Sequence, residues 1–328
     1  MEGEFTELRK EKKVIIDCDP GLDDAFALLL CLKHLNVIAV TTVGGNTGIE
    51  FTKKNACYIL ELTGYSHIPV YAGCDMPMKG ELVRATEVHG QSGLGNLAVP
   101  SLQKNIEDQD AVNFLISHFS SKTDCSLIAL GPLTNIATAL QRCPEISKNI
   151  PELLIMGGSA FSGNVTATAE FNIYVDPEAA KIVLESGIPI KMLGLNTTRQ
   201  NAVGQEEIEI CKSWNSPIGN ISAELLEFAT QSGATQLCDV CTVAWMIKPE
   251  IVTKSLMVKM DVETEGQLTR GMTVCDWRPF MVRNPQIDIS HSSPSSTNLH
   301  NNQNVELAME MDSSLFKELL LQTLKSYR

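Results

Sequence analysis

The sequence has no apolar run long enough to cross a lipid bilayer, and it is poor in basic residues. Lys and Arg total 26 against 39 Asp and Glu, which gives a net charge of −13. A chain with this balance is not attracted to nucleic-acid backbones or to anionic membrane surfaces. Its first residues, "MEGEFTELRKEKK", are charged and lack the apolar stretch of a signal peptide. We therefore expect no nucleic-acid partner and no membrane partner, and we predict a cytoplasmic protein.

The 328 residues also contain no internal repeat and no Gly/Ser-rich or Pro-rich linker that would divide them. Hydrophobic residues make up 44% of the chain, which is enough for one large core. We predict a single domain over residues 1–328. Within it we expect a charged N-terminal tail at 1–12 and a polar loop, "SHSSPSSTNLHNNQN", at 290–304.

Ten cysteines stand in strand-like and helix-like segments rather than at the regular loop spacings of a disulfide scaffold, which favours a reducing compartment. Cys238 and Cys241 form the only close pair, with the spacing of a thioredoxin-type redox motif. The sequence before them lacks the apolar strand that such a motif follows. We interpret most of the cysteines as small core residues.

Short apolar runs alternate with helical patterns over the first two thirds of the chain, as in "KVIIDCD", "DDAFALLLCLKHL" and "NVIAVTTVGGN". This alternation is typical of βαβ units. A last strand, "VELAMEM", and a helix from about Ser313 should close the fold. We predict an α/β protein with an open, mostly parallel, Rossmann-like β-sheet flanked by helices. Ligands of such sheets bind at the carboxyl ends of the strands.

Four aspartates stand within eight residues at the end of the first predicted strand: Asp17, Asp19, Asp23 and Asp24. Helix capping and turn hydrogen bonds explain one or two of them. A bound cation explains four better, and oxygen ligands without nearby His or Cys favour Ca²⁺ or Mg²⁺ over zinc. Asp239 begins a distant helical run and could reach the same site.

Phosphatases of the haloacid dehalogenase type also open with an apolar run followed by an Asp-x-Asp pattern. In those enzymes the residues after the second aspartate are normally Gly-Thr or similar. Here Pro20 and Gly21 follow, and a second acidic pair comes soon after. These differences weaken the phosphatase hypothesis.

The stretch "DCDPGLDDAFALLL" closely resembles the signature of the inosine/uridine-preferring nucleoside hydrolases. Further similar segments follow in the same order, namely "TTVGGN", "VHGQSGLG", "ALGPLTNIATAL", "LLIMGGSAFSGNVTATAEFNIYVDPEAA" and "TEGQLTRGMTVCD". The resemblance covers about Val14 to Trp277. It implies the nucleoside hydrolase fold with Ca²⁺ at the carboxyl edge of the sheet, hydrolysis of ribonucleosides to ribose and free base by a calcium-activated water, and a homodimer or homotetramer. It does not decide between purine and pyrimidine bases.

The resemblance also implies roles for individual residues. Asp19 would take the proton of the attacking water, and Asp17 is more structural than catalytic. The expected Ca²⁺ ligands are Asp19, Asp24, Asp239 and the backbone carbonyl of Leu130. The expected ribose-binding residues are Asp23, Asn46, Met156, Asn164, Glu170, Phe171 and Asn172. Without the resemblance, the polar residues near 164–172 would be interpreted as loop residues and Met156 as a core residue.

Cys238 stands where many family members carry the histidine that protonates the departing base, although a subgroup carries cysteine there. A thiol with an ordinary pKa of about 8.5 is a weaker acid than imidazolium. Three alternatives follow: Cys238 donates the proton, another group such as His89 or water does, or the base leaves with little protonation. His89, in a glycine-flanked segment, is expected near the base in a supporting role. A further hypothesis is a non-catalytic ribonucleoside-binding or calcium-binding protein of the same fold.

Overall fold

The computed structural model of the protein describes residues 11–280 and 303–327. The predicted tail at 1–12 and the predicted polar loop at 290–304 lie outside the described residues except for two residues each. The prediction of one domain over 1–328 therefore stays a prediction. No helix within the described ranges combines the length and the apolar composition that are needed to cross a membrane.

The centre of the fold is an eight-stranded sheet in the order β3-β2-β1-β4-β5-β6-β10-β7, and β8 and β9 form a small antiparallel pair. The strands are β1 (Lys13–Cys18), β2 (Asn36–Thr42), β3 (Val70–Ala72), β4 (Ser126–Ala129), β5 (Leu153–Met156), β6 (Ile190–Leu193), β7 (Val252–Val258), β8 (Met260–Val262), β9 (Thr273–Cys275) and β10 (Val305–Met311). All neighbours in the large sheet pair in parallel except β7, which is antiparallel to β10. The prediction of a mostly parallel sheet is confirmed.

Helices cover both faces of the sheet. They are α1 (Leu22–His34), α2 (Ile49–Leu62), α3 (Thr86–His89), α4 (Ala111–His118), α5 (Thr134–Arg142), α6 (Phe171–Val175), α7 (Pro177–Leu184), α8 (Leu195–Thr198), α9 (Gln205–Ser213), α10 (Pro217–Ser232), α11 (Cys238–Ile247) and α12 (Ser313–Lys325). Short 3₁₀ segments lie at Pro144–Asn149, Pro249–Ile251 and Arg278–Phe280. The predicted closing strand and helix are confirmed as β10 and α12.

The sequence of β1 shows why both faces are covered. Val14 and Ile16 are buried with α1, α11 and α12 on one face, and Ile15 is buried with α5 and α7 on the other. Successive residues of a strand point to opposite faces, so an uninterrupted apolar run needs cover on both sides.

The order of the strands positions the site. From β1 the chain adds β2 and β3 on one side of the sheet, and then returns to add β4, β5 and β6 on the other side. Where the direction of strand addition reverses, the carboxyl ends of adjacent strands open a crevice that is suited to a ligand. The acidic segment after β1 lies at this reversal.

Candidate active site

The turn from β1 into α1 holds its carboxylates with backbone N–H groups. Asp24 accepts hydrogen bonds from the N–H of Gly21 at 2.9 Å and the N–H of Asp19 at 3.2 Å. Asn46, which follows β2, donates its N–H to Asp19 Oδ2 at 2.7 Å and its side-chain amide to Asp24 Oδ2 at 3.1 Å. Two strand ends thus fix the same pair of acids, and the N-terminus of α1 favours their negative charge.

Asp239, at the start of α11, joins this group from a distant part of the chain, as the sequence predicted it could. Carboxylate oxygens of Asp23, Asp24 and Asp239 lie within 4.8 Å of one another, and Asp19 lies beside them. These four residues form what we call the acidic floor. Burial, reinforced by the neighbouring aspartates, raises the pKa of Asp19 and Asp239 well above their usual range. Burial and then the charge of Asp23 raise the pKa of Asp24 to about 7.

The acidic floor fits a metal ion by two criteria. Its donors are all oxygens, which is the ligand set that Ca²⁺ and Mg²⁺ prefer. Among the described residues, none gives a hydrogen bond to the buried Oδ1 of Asp19. A buried carboxylate oxygen without a donor is costly unless a cation or a ligand satisfies it.

Asp17 differs from the other three aspartates of the opening segment. Thr41 and the Asn135 amide both donate to its Oδ1, the latter at 2.8 Å, and it does not line the cavity that opens over the acidic floor. Burial raises the pKa of Asp17 to about 6, although these two donors oppose the shift. Its contacts tie β1 to β2 and α5, and these support the structural role that the sequence predicted.

A cavity of about 330 Å³ opens over the acidic floor. Asp19 and Asp24 lie buried behind it, and every other predicted site residue lines it. These lining residues are Asp23, Asn46, His89, Leu130, Met156, Asn164, Glu170, Phe171, Asn172, Cys238 and Asp239. The structure therefore brings the predicted residues together, whereas the role of each one stays a prediction.

Glu170 caps the N-terminus of α6 rather than standing in a free loop. Its carboxylate accepts the N–H groups of Gly158 at 2.9 Å, Asn172 at 3.0 Å and Ile173 at 3.2 Å. Burial raises its pKa to about 7, although these three donors oppose the shift. Glu170 is thus a buried acid with a fixed orientation beside the cavity.

Asn164 and Asn172 are also held in place. Asn164 Oδ1 accepts the N–H of Phe171 at 3.0 Å, and Asn172 Nδ2 donates to the carbonyl oxygen of Leu130 at 2.7 Å. A carbonyl oxygen has two lone pairs, so the Leu130 carbonyl keeps one for a further partner. Asn164 lies in a loop, as the residues alone suggested, and holds the start of α6, whereas Asn172 belongs to α6 and ties it to the residue that follows β4.

His89 is buried at the end of α3. Its Nδ1 accepts the N–H of Leu22 at 3.1 Å and lies 4.0 Å from Asp23 Oδ1. Burial lowers the pKa of His89, although the charge of Asp23 opposes the shift. With Nδ1 acting as acceptor, the neutral ring carries its proton on Nε2.

Cys238 is the first residue of α11, and its thiol contacts the Gln236 carbonyl oxygen at 3.7 Å. Burial, followed by the charge of Asp23, raises the pKa of Cys238 to about 12, so the thiol keeps its proton. Cys241 lies fully buried one turn further along the helix, and no strand leads into α11. This arrangement does not support a redox pair.

The sequence predicted little of the cavity wall that surrounds Cys238. We call this the far wall and define it by Thr198, Arg199, Gln236 and Cys238. Arg199 is the only lysine or arginine among the described residues that line the cavity. Thr198 Oγ1 is buried near the Cys238 thiol without a hydrogen bond of standard distance and angle. Both residues follow β6 through α8, so inspection of this strand end could have found them.

The three tryptophans give no base-stacking platform. Within 11–280 and 303–327, the residues that line the cavity include none of them. Trp214 follows α9 and packs against the core, Trp245 is buried, and Trp277 stacks on Phe161 with ring centroids 6.1 Å apart. Trp214 therefore lies outside the cavity lining.

An open parallel sheet, an all-oxygen acidic floor at its carboxyl edge and a cavity of small-molecule size together define an α/β enzyme with a candidate metal site. The sequence profile of the inosine-uridine preferring nucleoside hydrolase family matches residues 14–318. The chain belongs to this family, and its enzyme class is that of the N-glycosidases. The haloacid dehalogenase hypothesis is set aside by this match.

Relatives and solved structures agree with the family. The chain is 42% identical over 277 residues to the pyrimidine-specific ribonucleoside hydrolase RihA of Photobacterium profundum, covering 81% of this chain and 89% of that protein. RihA of Shewanella woodyi is 38% identical over 329 residues, covering 96% and 99%. A purine-preferring ribonucleoside hydrolase from Gardnerella vaginalis superposes with a TM-score of 0.85 at 29% identity, covering 96% and 99%. The plant nucleoside hydrolase PpNRh1 gives 0.85 at 31%, with the same coverage.

Proposed function

We propose that the protein hydrolyses the N-glycosidic bond of ribonucleosides, with pyrimidine ribonucleosides as the preferred substrates. The observation that carries the proposal is the acidic floor beneath a cavity lined by the expected ribose-binding residues. The pyrimidine preference is supported by relatives of that printed specificity at 42% and 38% identity. It is also supported by a cavity lining that contains no tryptophan in the described part of the chain.

The charge of the floor suits this reaction. Breaking an N-glycosidic bond leaves positive charge on the ribosyl ring in an oxocarbenium-like transition state. Fixed carboxylates close to that ring stabilise the charge where it develops, and they need little reorganisation because the backbone already holds them. Asp19 accepts the proton of the attacking water in this proposal.

The proposed metal is calcium, held by Asp19, Asp24, Asp239 and the backbone carbonyl of Leu130. When bound, such an ion lowers the pKa of water and so makes a nucleophile available near neutral pH. The all-oxygen donor set and the unsatisfied Oδ1 of Asp19 support this assignment. Asp23, which also belongs to the floor, is assigned to the ribose.

The ribose hydroxyls are bound by Asp23, Asn164, Glu170 and Asn172 in this proposal, with Asn46 nearby and with Met156 and Phe171 packed on the sugar. Glu170 and Asn172 are each fixed by hydrogen bonds, so a missing hydroxyl would leave a buried polar group without its partner. Sites built in this way discriminate strongly against substrates that lack the group. We therefore expect ribonucleosides to be preferred over deoxyribonucleosides.

Departure of the base requires a proton donor or a positive partner in the cavity. Cys238 holds a proton and stands beside the floor, and His89 carries its proton on Nε2. We propose Cys238 as the residue that assists the departing base, with His89 in support. A homodimer or homotetramer and a cytoplasmic location stay predictions from the sequence.

A reducing-sugar assay on a panel of nucleosides tests the proposal. The protein, with added Ca²⁺, is incubated with uridine, cytidine, inosine, adenosine and deoxyuridine, and parallel reactions contain a chelator. We expect ribose release that is fastest with uridine or cytidine and that stops in the chelator. Release that persists in the chelator would contradict the metal assignment. No release from any nucleoside by folded protein would favour the non-catalytic binding role instead.

A further inference from the structure

The cavity carries opposite charges on its two sides. Four aspartates form the floor, and Arg199 lines the far wall as the only lysine or arginine of the described lining. Arg199 directly follows α8 at the carboxyl end of β6 and lines the cavity together with Cys238. The cation and the thiol are therefore neighbours in the wall of the cavity.

The guanidinium of Arg199 has a defined position. It donates to Ser162 Oγ and to the carbonyl oxygen of Gly163, both at 2.6 Å, across 36 or more residues of sequence. Both acceptors are neutral, so they orient the group without cancelling its charge. Since a guanidinium has five N–H donors, further donors stay available to a ligand.

The negative charge of the floor and the positive charge of Arg199 match the charge separation that develops in the reaction. When the C1′–N bond breaks, its electron pair goes to the base and positive charge is left on the ribosyl ring. The floor is complementary to the ring, whereas a cation on the far wall is complementary to the base. Cys238 alone is poorly suited to neutralise the base, because a thiol is a weak acid.

We propose that Arg199 is a catalytic residue that stabilises the departing base by donating a hydrogen bond to an exocyclic carbonyl oxygen of its ring. The attacking water forms the new C1′–O bond and loses a proton, and the base nitrogen gains one through solvent or Cys238. Atoms and charge therefore balance as nucleoside plus water giving ribose plus base. This inference rests on the proposed nucleoside hydrolysis.

A purely structural role predicts a different outcome. Ser162 and Gly163 lie next to Asn164, so Arg199 could act only by holding this loop in place. Loss of a loop anchor would slow all ribosides alike, whatever their leaving group. Loss of charge stabilisation would slow the hydrolysis of only those substrates whose leaving group is unstable as an anion.

Four variants and two substrates separate these roles. Arg199→Met removes the charge, Arg199→Lys keeps it, Ser162→Ala removes one anchor, and Arg142→Met is the matched control on the exposed side of α5, away from the cavity. Initial rates are measured with uridine and with 4-nitrophenyl riboside, whose leaving group is already a stable anion. We expect R199M to lower kcat for uridine about 10- to 100-fold and for the nitrophenyl riboside less than about threefold.

R199K should recover most of the uridine rate, and S162A and R142M should stay close to the wild-type enzyme with both substrates. Equal slowing of both substrates by R199M, reproduced by S162A, would overturn the proposal in favour of a loop anchor. An unchanged uridine rate in R199M would overturn it as well. In both cases the wild-type enzyme still releases ribose, whereas failure of the underlying function appears as an inactive wild-type protein.

Discussion

The acidic floor and the far wall are held in different ways. Asp19 and Asp24 of the floor are fixed by backbone N–H groups and by Asn46 at 2.7 to 3.2 Å. On the far wall, the Cys238 thiol has one long contact at 3.7 Å and the Thr198 hydroxyl has no partner of standard geometry. Arg199, in the same wall, is fixed by two hydrogen bonds at 2.6 Å, so the weak bonding is confined to Cys238 and Thr198. Under the proposed function, the firmly held floor serves the ribose that every substrate shares, and these two residues serve the base, which differs between substrates.

Removing one carboxylate of the floor should give the largest effect. Asp239→Asn takes away a proposed metal ligand and part of the negative charge beneath the ribosyl ring. We expect kcat to fall by about a thousandfold. We also expect the urea unfolding free energy of the metal-free protein not to fall, because the change relieves repulsion among buried acids.

Steady-state kinetics with uridine and urea titrations in a chelator check the two halves of this prediction. Asp108→Asn, at an exposed position, is the matched control and should change neither quantity. Activity within tenfold of the wild-type enzyme would mean that Asp239 is not needed at the site. Loss of stability together with activity would make its role structural.

Glu170 should give the metal-free protein a pH-dependent stability. Burial raises the pKa of Glu170 from 4.5 to about 7 in the folded state, so between these values the folded protein keeps a proton that the unfolded chain has lost. Its contribution to stability is therefore fully present below pH 4.5 and is lost as pH rises through 7. The shift corresponds to roughly 3 kcal/mol.

Urea titrations between pH 4.5 and 8 measure this contribution as the difference in slope between the wild-type protein and Glu170→Gln. The slope should be flatter in the variant, whatever its absolute stability. Glu185→Gln, on an exposed residue, should keep the wild-type slope. Equal slopes in all three proteins would show that Glu170 titrates normally.

The floor and the far wall also differ in how much of each the sequence could predict. The strands, the parallel sheet and the position of Asp17 to Asp24 follow from an apolar run that ends in acids, which is a local pattern. The convergence of Asp239 depends on packing more than two hundred residues away, so sequence alone could only offer it as a possibility. Arg199 was missed because a single arginine after an apolar strand carries no local signal of its own.

Glu170, Asn164 and Asn172 illustrate a second limit. Their segment is polar and has no periodicity, so physical reasoning alone interpreted it as a loop, and only the family resemblance assigned functional residues there. The structure shows the reason. Glu170 caps a five-residue helix through three backbone N–H groups that come from both sides of the loop. Short capped turns of this kind are set by long-range contacts rather than by helix propensity.

Cys238→Ala should have a moderate effect that depends on the leaving group. If the thiol assists the departing base, hydrolysis of uridine or inosine should slow by about tenfold or more, whereas hydrolysis of 4-nitrophenyl riboside should change little. Initial rates with these substrates make the comparison. Cys143→Ala, at a partly buried cysteine outside the cavity lining, is the control. Equal slowing of all substrates would rule out an acid role for Cys238.

The smallest effect is expected on stability, from Thr198→Val on the far wall. Thr198 and Thr41 are both fully buried, but the Thr41 hydroxyl donates to Asp17 whereas the Thr198 hydroxyl has no partner of standard geometry. Removing a buried hydroxyl that makes a hydrogen bond leaves its partner unsatisfied and costs about 1 to 3 kcal/mol. Removing a buried hydroxyl that makes no hydrogen bond is close to neutral. Urea unfolding of the metal-free proteins should therefore show a clear loss in Thr41→Val and a change below about 0.5 kcal/mol in Thr198→Val. Similar losses of stability in both variants would show that the Thr198 hydroxyl is hydrogen-bonded as firmly as the Thr41 hydroxyl. The contrast between the floor and this part of the far wall would then fail.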